Sequence, residues 1–403
     1  MPFRLRDSLT GRRRTLAPAD GKTFTMYICG PTVYDAAHVG HGRTYLYFDV
    51  LRRALEERGT RVRHVMNITD YEEKISYRAE SLGLTWRALA RRETARFHAD
   101  LDRLRILRPH CEPKASAFVP PMIEVGRRLA HKGRVVSRAD SWVWVPPPPS
   151  HRNFPVGDEL TEHLVQEAGV APPSADTARE IELWRRAEGP LPRWIGPWGV
   201  GAPGWHLECY AMASRYLGVP VDLMGGGIDL LFPHHYAGNE IALALDGTLC
   251  ARQFLHLGFV TQLHRKMSKS RGNLVPLRAA TLEHGPDALR WFLLGRPYNS
   301  RIEWVQGEVE RAAQEWMAVR ASLRAAVANG GGGTFAAEPV ERLGEEVLAC
   351  VEDGFHVETA LEHIGALARE MDASPHGKVP RGSRRRAIAS YRQVERVLGL
   401  RIL

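Results

Sequence analysis

The stretch "YICGPTVYDAAHVGHGRTYLYFDV", residues 27–50, contains the end of a strand, a loop and the start of a helix. Just before it, Phe24, Met26 and Ile28 fall on alternate positions, as one face of a strand does. Gly30-Pro31 breaks that alternation. From Gly42 to Arg58 the apolar positions Phe48, Leu51 and Leu55 recur at helical spacing, and Gly59 offers a stop. "RVRHVMNITD" (61–70) then predicts a second strand. Strand, loop, helix, strand is a βαβ unit. It implies an α/β fold with a parallel sheet and a ligand beyond the carboxyl ends of the strands.

Working outward, residues 85–135 read as helical and arginine-rich. The run Pro146–Pro149 cannot pair inside a sheet, which predicts an irregular insert near 136–195. A second α/β half follows, with strands expected in "VPVDLMGGG" (219–227) and "FLHLGFVT" (254–261). From Pro286 the pattern turns helical, "ANGGGGT" (328–334) reads as a flexible linker, and the last stretch as a small helical unit. The expected organisation is 1–135 and 201–275 as two halves of one catalytic domain, 136–200 as the insert, 276–327 as a helical region and 334–403 as a small helical domain.

At 403 residues the chain is too long for one small core. Five scattered cysteines, Cys29, Cys111, Cys209, Cys250 and Cys350, argue against a disulfide framework. No window approaches the roughly 18 apolar residues that span a bilayer, and the N-terminus lacks the apolar core of a signal peptide. The expectation is a cytoplasmic protein, with no membrane partner, acting as a monomer. The net charge of +9 fits a polyanionic partner, nucleotide or nucleic acid, although many arginines alone would produce it.

Two motifs carry chemistry. His38-Val39-Gly40-His41 sits where a loop enters a helix. Amides at a helix start favour anions, two imidazoles one loop apart can donate to phosphate oxygens, and Gly40 permits close approach. Taken alone, four letters are also a common coincidence. "RKMSKSRGN" (265–273) sets Lys266 and Lys269 in a short polar loop. Its plain reading is a solvated basic turn, and its sharper one a mobile clamp for charge developing on transferring phosphates.

With both motifs present in this order, the chain resembles the class I aminoacyl-tRNA synthetases, whose signatures are HIGH and KMSKS. The resemblance implies a Rossmann-like catalytic domain with a parallel sheet and an insert, followed by a helical C-terminal region that begins with a stem-contact segment. It also implies ATP, with Mg2+, activating an amino acid as its adenylate. His38, His41, Lys266 and Lys269 would be catalytic through positioning and electrostatics. Gly40, Gly226, Asp229 and Ser268 would hold ATP.

"GWHLECYAMA" (204–213) brings Cys209, and "GGGIDLLFPHHYAGNE" (225–240) brings His234 and His235. Cys29, Cys209 and a histidine make a Cys2His set. Three protein ligands with one open position form a zinc site able to take up substrate. Each cysteine alone is more often a small buried hydrophobe. A substrate thiolate is a far better fourth ligand than a hydroxyl, which supplies selectivity that shape could not, so the expected amino acid is L-cysteine.

"CGPTVYD", "HVGH", "NITD", "GWHLEC", "GGGIDL", "FPHH", "GFV" and "KMSKSRGN" are similar to cysteinyl-tRNA synthetases and equally to the mycothiol-pathway cysteine ligases. By that resemblance Cys29, Cys209 and His234 are the zinc ligands, and Thr32, Thr69 and Trp205 line the cysteine pocket. Asp229 would reach the ribose or the amino group. Two departures stand out. The synthetases read "HHENE" where this chain reads "HHYAGNE", which sets Gly238 at the place of a ligating glutamate and leaves Glu240 as a substitute only if the helix start shifts. The synthetases also continue beyond an "LGL"-like helix into an anticodon-reading domain, whereas this chain stops at "VERVLGLRIL". Both departures are shared with the mycothiol-type ligases, while "CGPTVYD" is the synthetase form. The expected function is therefore transfer of activated cysteine to a small-molecule amine, with charging of a tRNA as the alternative. A non-catalytic RNA-binding paralogue would require decay of HIGH or KMSKS, and both are intact.

Overall fold

The computed structural model describes residues 2–147, 180–186, 188–267, 272–328, 334–374 and 377–403. The chain opens with a short antiparallel pair, β1 (Arg4–Arg6) and β2 (Arg13–Thr15). It then enters the predicted βαβ unit: β3 (Thr23–Ile28), α1 (Val39–Glu57) and β4 (Arg61–Met66). Helices α2 (Glu73–Ser81), α3 (Trp86–Arg103) and α4 (Val119–Ala130) follow. Strands β5 (Arg134–Ser137), β6 (Ser141–Val145), β7 (Ile181–Arg186), β8 (Trp194–Gly196) and β9 (Gly199–Pro203) form an antiparallel sheet ordered β5-β6-β7-β9-β8.

The second half returns to the centre with α5 (His206–Leu217), β10 (Leu223–Gly227), α6 (Tyr236–Asp246) and β11 (Phe254–Leu257). The four central strands run parallel in the order β11-β10-β3-β4. A small sheet of β12 (Val260–Gln262), β13 (Arg265–Lys266) and β14 (Ile302–Glu303) lies beyond. Helices α7 (Leu277–His284), α8 (Pro286–Leu294), α9 (Gln306–Ala326), α10 (Ala337–Glu352), α11 (Val357–Ala373) and α12 (Arg384–Leu398) complete the chain.

The alternation read in the sequence becomes the two faces of the central sheet. Phe24, Met26, Ile28, Val62, Met66, Leu223, Leu255 and Leu257 enter one core, with Phe48, Leu51 and Leu55 of α1 and the C-terminal helices. Tyr27, Val65, Met224 and Phe254 enter the other, with Met122 of α4 and Leu207 and Met212 of α5. A parallel sheet covered on both faces requires apolar side chains on both parities, and these strands have them. The C-terminal helix α12 packs on α1 and α10. Arg290, fully buried, ties this end together by donating to Asp49 at 2.8 Å and to the carbonyls of Leu398 and Leu104.

Two expectations are corrected. The insert is not irregular where it is described. Its alternating Trp142-Val143-Trp144 and Ile181–Trp184 segments pair as β6 and β7, and the prolines begin only after β6 ends. Residues 148–179, which include Pro148 and Pro149, lie outside the described residues, as do Gly330–Gly333 of the expected linker. The expected strand 254–261 is two strands in different sheets. Gly258 separates them because its backbone passes so close to Ser300 that a Cβ there would sit 2.1 Å from the Ser300 carbonyl oxygen.

Candidate functional site

Three of the four central strands, β3, β10 and β11, end on one cavity of about 270 Å³. Cys29 and Gly30 follow β3, Gly227 and Asp229 follow β10, and Leu257 and Gly258 follow β11. Lys74 in the first turn of α2 also reaches it, and Thr32, Tyr34, His38, Gly40, His41 and Trp205 close the walls. A ligand crevice outside the carboxyl ends of a parallel sheet is where this topology places it.

One end is made by the start of α1. His38 is the N-cap, and its Nδ1 accepts the Gly40 N–H at 3.1 Å. His41 Nδ1 accepts the His38 N–H at 3.2 Å, which completes a capping box. Burial pushes His41 down to about 4, against the opposing pull of Asp229, so its ring is neutral at neutral pH. A ring nitrogen that accepts a hydrogen bond carries no proton, so in each neutral ring the proton sits on Nε2. The cap therefore fixes both rings, 3.9 Å apart, as Nε2–H donors. Gly40 is required for a reason internal to the box: a Cβ there would lie 2.8 Å from His38 Cε1.

The other end is sulfur and imidazole. Cys29 Sγ lies 3.4 Å from Cys209 Sγ, His234 Nε2 lies 3.1 Å from Cys209 Sγ, and all three residues are buried. Among the described residues these three form the group whose candidate ligand atoms all lie within 4.8 Å of one another. Burial, then Cys209, pushes the Cys29 thiol well up, and burial, then His206 and His235, pushes His234 well down. Two close buried sulfurs beside a bare imidazole nitrogen suit a thiophilic divalent ion, and the donor set fits zinc. His234 Nδ1 lies 3.2 Å from His206 Nδ1, and Trp205 stacks on the His234 ring at 4.2 Å, so the ring is held in place.

The structure distributes the sequence-predicted residues unevenly. Thr32, His38, Gly40, His41, Trp205, Asp229 and Cys29 reach the cavity wall, and Cys209 and His234 lie behind Cys29. Gly226 does not reach the wall. Its neighbour Gly227 does, because successive strand residues face opposite ways. Thr69 is also behind the wall: it pairs with Thr32 through backbone, and its hydroxyl donates to Glu208 at 2.7 Å. Glu240 is not in the converging group, and α6 starts at Tyr236. At Gly238 an added Cβ would meet nothing within 4 Å. Lys266 lies in β13, while Ser268 and Lys269 lie outside the described residues.

Three participants escaped the sequence reading. Arg43, fully buried, donates to the carbonyls of Gly258, Ser300 and Pro297 at 3.0, 2.7 and 2.8 Å, which locks α1 to the segment leading into the lysine loop. Asn67 accepts from Gly30 N–H at 2.7 Å and donates to Glu208, steadying the turn after Cys29. His256 Nε2 lies 2.7 Å from Nδ1 of His235, whose Nε2 lies 3.1 Å from Cys29 Sγ. The signal available for Arg43 was a charge inside an apolar helical stripe, and for Asn67 its place in the "NITD" motif; His256 had none.

Residues 15–314 match the family described as tRNA synthetases class I (C) catalytic domain. The cysteine–tRNA ligase of Anaeromyxobacter dehalogenans (strain 2CP-1 / ATCC BAA-258) is 35% identical over 412 residues, which cover 99% of this chain and 84% of that protein. The cysteine–tRNA ligase of Aquifex aeolicus (strain VF5) is 34% identical over 389 residues, 92% of this chain and 77% of that one. In fold, the chain is similar to Mycobacterium tuberculosis methionyl-tRNA synthetase in complex with methionyl-adenylate, with a TM-score of 0.64 and 19% identity over 93% of this chain and 89% of that one.

Proposed function

The chain belongs to the class I (C) tRNA synthetases, and from that premise we propose that it transfers L-cysteine to a tRNA through a cysteinyl-adenylate. It is an ATP-dependent ligase of the aminoacyl-tRNA synthetase type. One observation carries the finer reading: a single cavity has two fixed imidazole N–H donors at one end and a Cys2His group behind Trp205 at the other. Cys29, Cys209 and His234 would hold zinc, whose bound form offers a thiolate a coordination site that a hydroxyl fills poorly. Thr32 and Trp205 would border the amino acid, and Asp229 would face its amino group or the ribose. His38 and His41 donate to phosphate oxygens, and the Lys266–Lys269 loop supplies charge as pyrophosphate departs.

The choice of acceptor departs from the expectation drawn from the sequence. The relatives at 35% and 34% identity are tRNA ligases, which favours tRNA over a small-molecule amine. One feature keeps the amine as a second reading. Beyond Trp205 lies a cavity of about 230 Å³ lined by Glu72, Glu73, Glu182 and Glu208 against Arg185 alone, a setting better suited to an ammonium than to a phosphodiester. The deciding experiment follows cysteine-dependent ATP–pyrophosphate exchange, then offers labelled cysteine with total tRNA or with a panel of amines. Acid-precipitable, RNase-sensitive label supports tRNA. Label in an amide of a small amine, with none in RNA, overturns it.

A further inference from the structure

We propose that Lys74 is a catalytic residue of the activation step, its ammonium meeting the negative charge shared by the cysteine carboxylate and the α-phosphate. The inference rests on the reading of the cavity as a cysteine-activating site and names a group within it that neither signature contains. The argument starts from charge. Cysteine enters as a carboxylate and ATP as a polyanion, so bringing them together opposes like charges in a partly dry cavity. The wall contributes Asp229, which is negative, and His38 and His41, whose fixed tautomers donate hydrogen bonds without a net charge. Among the described residues that line the cavity, Lys74 is the one with a full positive charge.

Its placement suits that use. Lys74 is the second residue of α2, the helix that follows β4, and it lines the same cavity as Cys29, Asp229 and Gly258 at the ends of the other strands. Glu72 and Glu73 line the neighbouring cavity instead, and Trp205 lines both. The first turn of α2 and the Trp205 indole therefore make up the partition between the two cavities. That puts the ammonium on the Trp205 side, where the amino acid would sit.

Among the described residues, the one ion pair of Lys74 is a loose one. Its side chain is 71% exposed, and its ion pair with Glu72 spans 4.0 Å. An exposed pair of that kind holds its partners weakly, so the side chain can swing to an incoming anion at little cost. In the step itself a cysteine carboxylate oxygen bonds to the α-phosphorus as the bond from that phosphorus to the β-phosphate oxygen breaks. Pyrophosphate leaves, and no proton moves. The Lys74 side chain offsets charge on the non-bridging oxygens as it builds.

The test compares wild type, Lys74→Met and Lys74→Arg in cysteine-dependent ATP–pyrophosphate exchange, with zinc content and Tm measured on each. Lys74→Met is expected to lower kcat by about 10- to 100-fold, the usual scale for one electrostatic contact to a reacting centre. Its KM for cysteine, zinc content and Tm should stay near wild type, and Lys74→Arg should recover most of the rate. Exchange by Lys74→Met within about twofold of wild type, or an equal loss in Lys74→Arg, overturns the proposal. Absence of exchange in the wild type would instead overturn the activation reading itself.

Discussion

The two ends of the cavity are built by different rules. At the phosphate end, His38 and His41 are three residues apart and orient each other through one helix cap, with both hydrogen bonds made to backbone within that turn. At the sulfur end, the candidate ligands come from positions 29, 209 and 234, and each depends on a different element: the end of β3, the first turn of α5 and the turn entering α6. The first arrangement needs one helix. The second needs the whole parallel sheet in register, and its buried sulfurs are far harder to accommodate when one partner is lost. A locally encoded donor pair can be read from four letters, whereas a tertiary ligand set can be read only by someone who already suspects the fold.

The comparison would break most sharply at Cys209. Cys209→Ala should abolish stoichiometric zinc and lower cysteine-dependent exchange on the order of 10³-fold, because it takes away the basis for choosing sulfur over oxygen. Metal analysis together with exchange checks this, and chelator treatment reversed by added zinc should mimic it. Full exchange in metal-free protein would dissolve the distinction between the ends.

His41→Ala should cost about 10²-fold in kcat while zinc stays bound, since the two ends share a cavity but no ligands. Loss of zinc in that variant would show that the ends are not independent.

Gly238→Glu sharpens the sulfur end. Position 238 lies in the first turn of α6, four residues after His234, and it has room for a Cβ. Zinc should bind about 10-fold more tightly, about 1.4 kcal/mol, in a chelator competition. Unchanged affinity would place Gly238 away from the metal.

The smallest effect belongs to a control, His64 on β4. Both of its ring nitrogens are buried without a partner among the described residues, and burial, then Arg52, pushes it down to about 3. A depressed histidine contributes stability above its unfolded value near 6.5 and loses it as pH falls toward 3. His64→Leu should therefore flatten the decline in unfolding free energy between pH 6.5 and 4 in urea titrations, and gain roughly 1 kcal/mol at pH 7.5. Exchange activity should not change.

The same contrast explains what could be read in advance. Period-two alternation in Phe24, Met26 and Ile28 and helical spacing in Phe48, Leu51 and Leu55 determined the βαβ core, because side-chain direction follows backbone period. The cap at His38 was legible as a helix start, although the histidines serve as cap and donor at once. The insert misled because its prolines were weighed above the tryptophan-rich strands on either side of them.

By itself, then, the sequence determined the parallel α/β core, the strand-end position of the site and the residue types available for it. Only the tertiary structure decided that Gly227 rather than Gly226 faces the cavity, that Thr69 turns to Glu208, and that Arg43 binds α1 to the lysine-bearing segment. Periodicity and capping act over a few residues and are written locally. Which carbonyl a buried guanidinium meets, or which sulfur lies beside which imidazole, depends on segments hundreds of residues apart, and their meeting is set by how two faces of one sheet are packed.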